Sequence, residues 1–119
     1  MKKDPYDNDY LSSTLQTYKK LATNINNVVA GQERAIRLLL SAFLTGGHVL
    51  LEDFPGTGKT TLAKVLAGSC GIGYQRVQFT SDLLPTDLLG ASIYNQENRE
   101  FTFRKGPLFT NILLADEIN

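Results

Sequence analysis

The chain has 119 residues, 42% of them hydrophobic, which suits a single globular unit. Lys and Arg number 12 and Asp and Glu number 12, so the charge excludes a strong basic field that would draw the protein to nucleic acid or a membrane surface. No run of about 18 apolar residues is present, so no membrane span is expected, and the single Cys70 excludes an internal disulfide and fits a cytoplasmic location.

The first 47 residues read as two helices. Apolar residues recur at helical spacing in both segments, and the Gly46-Gly47 pair is typical of the residues that follow a helix C-terminus. The segments predicted here are, in chain order, a disordered polar stretch at 1–8, a helix over 11–25 that fades at 24–27, an extended piece and turn at 28–32, and a helix over 32–45.

The next stretch predicts a phosphate-binding loop. Residues 48–52 form an apolar run typical of a buried strand, and a Pro-Gly-Thr-Gly loop leads from it into a helical pattern. Strand, glycine loop and Lys-Thr at a helix start form the context that such a loop needs, because backbone N–H groups and the helix N-terminus then face an anion. Lys59 is placed to reach the β- and γ-phosphates, and Thr60 offers a hydroxyl to Mg²⁺. The residues predicted to surround the phosphates are Pro55, Gly56, Thr57, Gly58, Lys59, Thr60 and Thr61.

Asp53 departs from the strict form of this motif, which opens with a glycine. A carboxylate beside phosphates is unfavourable unless it points away from the loop. The alternative interpretation of the stretch is a glycine turn with a solvated lysine, which the flanking strand and helix patterns disfavour.

Downstream of the loop, strand patterns dominate. Arg76 and Gln78 alternate with Val77 and Phe79, which predicts a strand, and a polar turn at 95–98 between two arms predicts a β-hairpin. The predicted segments are a helix over 58–68, a strand over 74–80, a short helix or turn within 81–90, hairpin arms at 91–94 and 100–104, a helical turn from Pro107, and a strand over 111–116.

The last strand ends in two adjacent acids, Asp116 and Glu117. Neighbouring strand residues face opposite sides, so the two side chains are expected to do different jobs. One carboxylate can hold the Mg²⁺ shell, and the other can take a proton from an attacking water. Alone, the pattern is equally explained by a strand end that meets solvent; with the loop, it predicts a nucleotide-hydrolysing core.

Three segments resemble the MoxR family of AAA+ ATPases, over about residues 28–119. They are VVAGQERAIRLLLSAFLTGGHVLLEDFPGTGKTTLAKVLA, VQFTSDLLPTDLLGASIYN and FTFRKGPLFTNILLADEIN. The loop and the acidic pair alone would indicate the AAA+ class. The stretch from Gln78 to Asp87 and the Gly106-Pro107 pair indicate the narrower family, in which an acidic residue at the position of Asp53 is familiar.

The resemblance implies ATP and Mg²⁺ as cofactors and a role for each site residue. Lys59 would contact the β- and γ-phosphates and serve catalysis, and Thr60 would bind Mg²⁺. Asp116 would hold the metal, usually through water, while Glu117 would polarise the attacking water. The residues implied to lie near the adenine are Val28 and Val29.

The fold class implied is α/β: a P-loop NTPase of the AAA+ type, a three-layer sandwich with a parallel sheet in strand order 5-1-4-3-2 and a β-hairpin insert. Residues 1–27 would be an N-terminal helical extension, and residues 28–119 the N-terminal portion of the ATPase domain, truncated after the acidic pair. The sheet is therefore expected to be incomplete, with strand 1 lacking its neighbours, strands 4 and 5. We accordingly expect little ATPase activity from these 119 residues alone.

The function implied is ATP binding and Mg²⁺-dependent hydrolysis in a MoxR-type chaperone ATPase. The expected partners are other copies in a homo-oligomeric ring, a hexamer, and a client or von Willebrand A-domain protein. The hairpin would project toward the ring pore or a client, although a plain hairpin without a contact role is the alternative. Two other functions stay open: an inactive ATP-binding or interaction fragment, and a P-loop small-molecule kinase, which the Asp116-Glu117 pair disfavours.

Overall fold

The computed structural model describes residues 8–52 and 58–118. The chain divides into two compact units, Met1–Cys70 and Gly71–Asn119, and each is described by itself. Among the described residues, no helix combines the length and apolar character that a membrane crossing requires. The elements are α1 (Asn8–Val28), α2 (Glu33–Leu44), α3 (Gly58–Cys70), β1 (Tyr74–Gln78), α4 (Pro85–Leu89), β2 (Gly90–Asn95), β3 (Glu100–Lys105) and β4 (Ile112–Asp116).

The first unit is a cluster of three helices, in which α1 packs against both α2 and α3. Each helix has two buried side chains four residues apart, so each presents one apolar stripe to the cluster. All the buried apolar side chains of the described chain lie here: Leu21, Ile25, Ile36, Leu40, Leu62, Leu66 and Ala67.

The helix ends in this unit show one correct and one wrong prediction. Gly46 and Gly47 end α2 as expected: Gly46 has a φ of 71°, its N–H donates to Phe43, and the Gly47 N–H donates to Ala42. This is the Schellman pattern, in which glycine accepts the left-handed backbone. The predicted extended piece at 28–32 is wrong at its start, because α1 continues through Val28. Packing of the fully buried Ile25 outweighs the weak helix propensity of the asparagines around it.

The predicted buried strand at 48–52 is also wrong. Neither sheet includes these residues, and the side chains of Val49 and Leu50 are 40% and 68% exposed. A strand is stable only beside a partner, because its backbone N–H and C=O groups need ladder hydrogen bonds. In the strand order that the resemblance implied, the partners are strands 4 and 5, and the described residues contain neither.

In the second unit, β1 and β4 form a two-stranded parallel sheet. The register pairs Tyr74 with Ile112 and runs to Gln78 opposite Asp116. This confirms an α/β fold with a parallel sheet, and it places side by side the two strands that the implied order makes neighbours. The Phe79 N–H extends the ladder by donating to the Asp116 carbonyl at 2.8 Å.

The predicted hairpin is confirmed as an antiparallel pair, β2 and β3. Its base is closed by two glycines: Gly90 has a φ of 98°, and a Cβ on it would lie 2.6 Å from the Gly106 nitrogen and in collision with the Arg104 carbonyl. The Gly106 N–H donates to Leu89, the last residue of α4. The start and the end of the hairpin are therefore in backbone contact.

The short turn expected from Pro107 is present, and it does not continue into a helix. The Phe109 N–H donates to the Gly106 carbonyl at 3.2 Å, so the segment makes one turn and then leads toward β4. The Leu108 N–H donates instead to Leu88, outside the segment, at 3.1 Å. That hydrogen bond ties the turn to the last residues of α4.

Candidate nucleotide site

The first half of the candidate site is the N-terminus of α3. Gly58 begins the helix, and Lys59, Thr60 and Thr61 form its first turn, all of them half-buried. No acidic residue lies in this turn. The first four N–H groups of a helix have no partner within it, and the helix dipole adds partial positive charge at that end. This turn therefore suits an anion such as a phosphate.

The structure describes the predicted adenine-binding residues but not the predicted loop before α3. Pro55, Gly56 and Thr57 lie outside the described residues. Val28 is the last residue of α1 and is 57% exposed, and Val29 follows it half-buried. The assignment of these valines to the adenine stays a prediction.

The second half of the candidate site is the C-terminal end of β4. Asp116 is its last residue, and only 15% of its side chain is exposed. A guanidinium nitrogen of Arg76, on the neighbouring β1, lies 2.7 Å from Asp116 Oδ2. The hydrogen bond to Asp116 and the attraction of its charge raise the pKa of Arg76, so the arginine is a permanent cation beside this carboxylate.

Glu117 is also held by a residue of β1. Gln78 donates a 3.0 Å hydrogen bond from Nε2 to Glu117 Oε2. Gln78 and Arg76 lie two residues apart, so their side chains leave the same face of β1. The expectation that Asp116 and Glu117 face opposite sides is wrong in this respect: Glu117 lies beyond the strand with a φ of 56°, and that left-handed backbone brings its carboxylate to Gln78.

Tyr74, the first residue of β1, lies on the same face of the strand as Arg76 and Gln78. The Tyr74 hydroxyl is buried, and no hydrogen-bond partner is recorded for it in the described part of the chain. Burial raises the pKa of Tyr74, and the nearby Asp116 charge raises it further, while Arg76 lowers it. The phenol is therefore neutral at physiological pH and adds no charge to those of Arg76, Asp116 and Glu117.

The polar loop that follows β1 is ordered by its own acids. Thr80 donates a 2.5 Å hydrogen bond to Asp82, and this bond is the main reason that the pKa of Asp82 lies below its ordinary value. Asp87 accepts a 2.8 Å hydrogen bond from the Leu84 N–H, which caps the short α4. These carboxylates are engaged in shaping the loop.

The donor chemistry fits magnesium. Asp116 supplies a carboxylate at the end of β4, and Mg²⁺ is bound through one or two carboxylates together with substrate phosphates and waters. Within residues 8–52 and 58–118, no group of three or more His, Cys, Asp or Glu side chains could hold a metal. A site completed by nucleotide phosphates is the kind that a single carboxylate such as Asp116 suits.

The structure brings together part of the predicted site. Asp116 and Glu117 are adjacent and are both tied to β1, while Lys59, Thr60 and Thr61 share one helical turn in the other unit. Arg76 and Gln78 were not predicted as site residues. Their alternation on one strand face was visible in the sequence, but the register that sets them beside the acids was not.

Comparison with known proteins decides the family. The model of the ATPase family associated with various cellular activities (AAA) matches residues 48–119. The chain belongs to this family. The match runs from before the loop to beyond the acidic pair, so both halves of the candidate site lie within it.

Individual relatives narrow the assignment. The chain is 52% identical over 100 residues to the uncharacterized protein YeaC of Bacillus subtilis (strain 168), a match that covers 84% of this chain and 31% of that protein. It is 39% identical over 109 residues to chaperone MoxR1 of Mycobacterium tuberculosis (strain ATCC 25618 / H37Rv), covering 92% and 29% respectively. The chain is thus of the MoxR type, and it spans about a third of the length of these relatives.

A solved structure supports the same fold. The crystal structure of a candidate ATPase from Cytophaga hutchinsonii ATCC 33406 superposes with a TM-score of 0.72 at 42% sequence identity. The match covers 92% of this chain and 35% of that one. The fold class and the MoxR-type AAA+ family therefore agree with what the sequence resemblance implied.

Proposed function

We propose that this chain contributes the ATP-binding and Mg²⁺-dependent hydrolysis residues of a MoxR-type AAA+ ATPase. The observation that carries the proposal is the end of β4, where two adjacent carboxylates are separately anchored by Arg76 and Gln78. A metal-holding acid and a water-activating acid must each keep a fixed place, and the two ties provide it.

Each residue has a proposed role. The loop of Pro55, Gly56 and Thr57 would wrap the phosphates with the first turn of α3, where Gly58 and Thr61 add backbone N–H groups. Lys59 would contact the β- and γ-phosphates, and Val28 and Val29 would lie near the adenine. Thr60 and Asp116 would hold Mg²⁺, which neutralises phosphate charge when bound.

In hydrolysis, Glu117 would accept a proton from the water that attacks the γ-phosphorus, a role worth typically 10²–10⁴-fold in rate. The hydrogen bond from Gln78 orients the Glu117 carboxylate and leaves its second oxygen for the water. Lys59 would stabilise the negative charge on the transferred phosphoryl group. The leaving group would be ADP.

The larger setting is also a proposal. We place residues 1–27 as a helical extension and residues 28–119 in the ATPase domain, and we propose a homo-oligomeric, hexameric ring in the cytoplasm that acts on a client or von Willebrand A-domain protein. One relative is named as a chaperone, which supports this class of role. The hairpin of β2 and β3 would face the pore or the client.

The deciding experiment measures phosphate release by the full-length protein. We expect ATP to bind in the presence of Mg²⁺ and inorganic phosphate to appear without any acceptor molecule. Phosphate release that requires an added small-molecule acceptor would support a kinase instead. Absence of ATP binding would contradict the proposal and leave the chain as an interaction module.

A further inference from the structure

Arg76 takes no direct part in the proposed chemistry, but its side chain contacts the acid that is proposed to hold the metal. Its guanidinium lies 2.7 Å from Asp116 Oδ2. The register places Arg76 opposite Leu114, two residues before Asp116. The arginine side chain therefore reaches forward along the sheet face to the strand end, and its partner is the carboxylate proposed to hold the metal.

The exposed fractions of the two side chains indicate which of them the contact holds in place. Arg76 is 48% exposed and Asp116 is 15% exposed. An ion pair with one half-exposed partner contributes little to folding stability. Its main effect is on geometry, because a charge-assisted hydrogen bond fixes the orientation of a carboxylate that would otherwise rotate. The less exposed partner, Asp116, is the residue whose position is determined.

We propose that Arg76 is a positioning residue for the magnesium site: it holds the Asp116 carboxylate in the orientation that receives the metal's water shell. The inference rests on the proposed function, since it takes Asp116 as the metal-holding acid. A cation close to Mg²⁺ also repels it. Water screens the charge of a half-exposed guanidinium, whereas the geometric restraint is short-ranged and is not screened, so the net effect is tighter metal binding.

The test separates metal binding from nucleotide binding in the full-length protein. A fluorescent ATP analogue is titrated first in EDTA, and the Mg²⁺ concentration that half-restores ATP turnover is then measured. The same Mg²⁺ half-point is read from the fluorescence of the bound analogue, so that activity is not the sole readout. The variants are Arg76→Gln and Arg76→Lys, and the control is Arg37→Gln, an exposed arginine on α2.

We expect Arg76→Gln to raise the Mg²⁺ half-point by about tenfold, the lower end of the effect seen when an outer partner of a metal ligand is removed. Affinity for the analogue in EDTA should change less than about twofold, and Arg76→Lys should lie between Arg76→Gln and the parent. Arg37→Gln should match the parent. If Arg76→Gln does not fold, Arg76→Lys carries the test with the same expected sign.

Three results would overturn the inference. An unchanged half-point in Arg76→Gln would remove Arg76 from the metal site, and a lower half-point would show that it competes with the metal. An equal loss of affinity in EDTA would assign it a general structural role. A parent protein that binds no ATP at all would instead remove the proposed function, and the inference with it.

Discussion

Gln78 donates a 3.0 Å hydrogen bond from its side chain to the Glu117 carboxylate, across the end of the parallel sheet. This tie makes Glu117→Gln an informative substitution. The new amide keeps an oxygen that can accept from Gln78, but it cannot take a proton. ATP should still bind, and phosphate release should fall by at least about 10². Nucleotide affinity and steady-state turnover, measured on the same full-length preparation, check the retained binding and the reduced phosphate release. Turnover at the parental rate would assign the base to another residue.

Lys59 is the residue on which ATP binding should depend most. Lys59→Ala removes an ammonium from the first turn of α3, and hydrogen bonds to charged groups contribute roughly 1.5–3 kcal/mol each. We expect a loss of ATP affinity of at least about tenfold by titration of a fluorescent analogue. Lys64→Ala is the matched control, since Lys64 is an exposed lysine in the middle of the same helix. Equal affinities for the two variants would exclude Lys59 from the site.

Gly90 and Gly68 form a matched pair for stability. Gly90→Ala meets both a left-handed backbone and the Arg104 carbonyl, so it should destabilise the hairpin by about 2 kcal/mol or more. Gly68 lies inside α3 with open space around it, so Gly68→Ala should stabilise by up to about 1 kcal/mol.

Urea unfolding of both glycine variants, with amide hydrogen exchange of β2 and β3, measures the two effects. Faster exchange should be confined to the Gly90 variant. If Gly90→Ala were as stable as the parent, the close backbone approach at the hairpin base would be wrong.

The hairpin turn should be dispensable for nucleotide binding. Residues 96–99 connect β2 to β3, and Arg99 adopts a φ of 55° there. Replacing these residues with Asn-Gly gives a two-residue turn that matches the twist of the strands. We expect unchanged ATP affinity and impaired ring or client function, read by sedimentation and by turnover. Glu97→Gln, which keeps the loop length, is the control. Loss of ATP binding would place the hairpin in the nucleotide site.

Local signals in the sequence predicted the elements that depend on local structure. The hairpin came from a polar turn between two arms, and the end of α2 came from Gly46-Gly47. The segment at 48–52 was predicted wrongly because an apolar run becomes a strand only beside a partner, which is a non-local condition. The pairing of β1 with β4 was available from the family resemblance, but not from periodicity.

In the candidate site, too, features set by the local sequence could be predicted and features set by strand pairing could not. Asp116 and Glu117 could be identified from an apolar run that ends in two acids, whereas the anchors Arg76 and Gln78 could not. Which side chain on β1 meets which acid depends on register, and a slip of one residue would turn both anchors to the other face. The backbone at Glu117 was equally hidden, since nothing local predicts a left-handed glutamate.

That backbone has an energetic consequence. A left-handed conformation costs a residue with a side chain roughly 1–2 kcal/mol, and glycine is largely spared this strain. At position 117, with a φ of 56°, glycine would therefore have the least backbone strain, but glycine has no carboxylate. Glu117→Gly should unfold at a higher urea concentration than Glu117→Ala and be equally inactive. The backbone strain at this one residue accompanies a conformation that turns the Glu117 side chain toward Gln78 on β1.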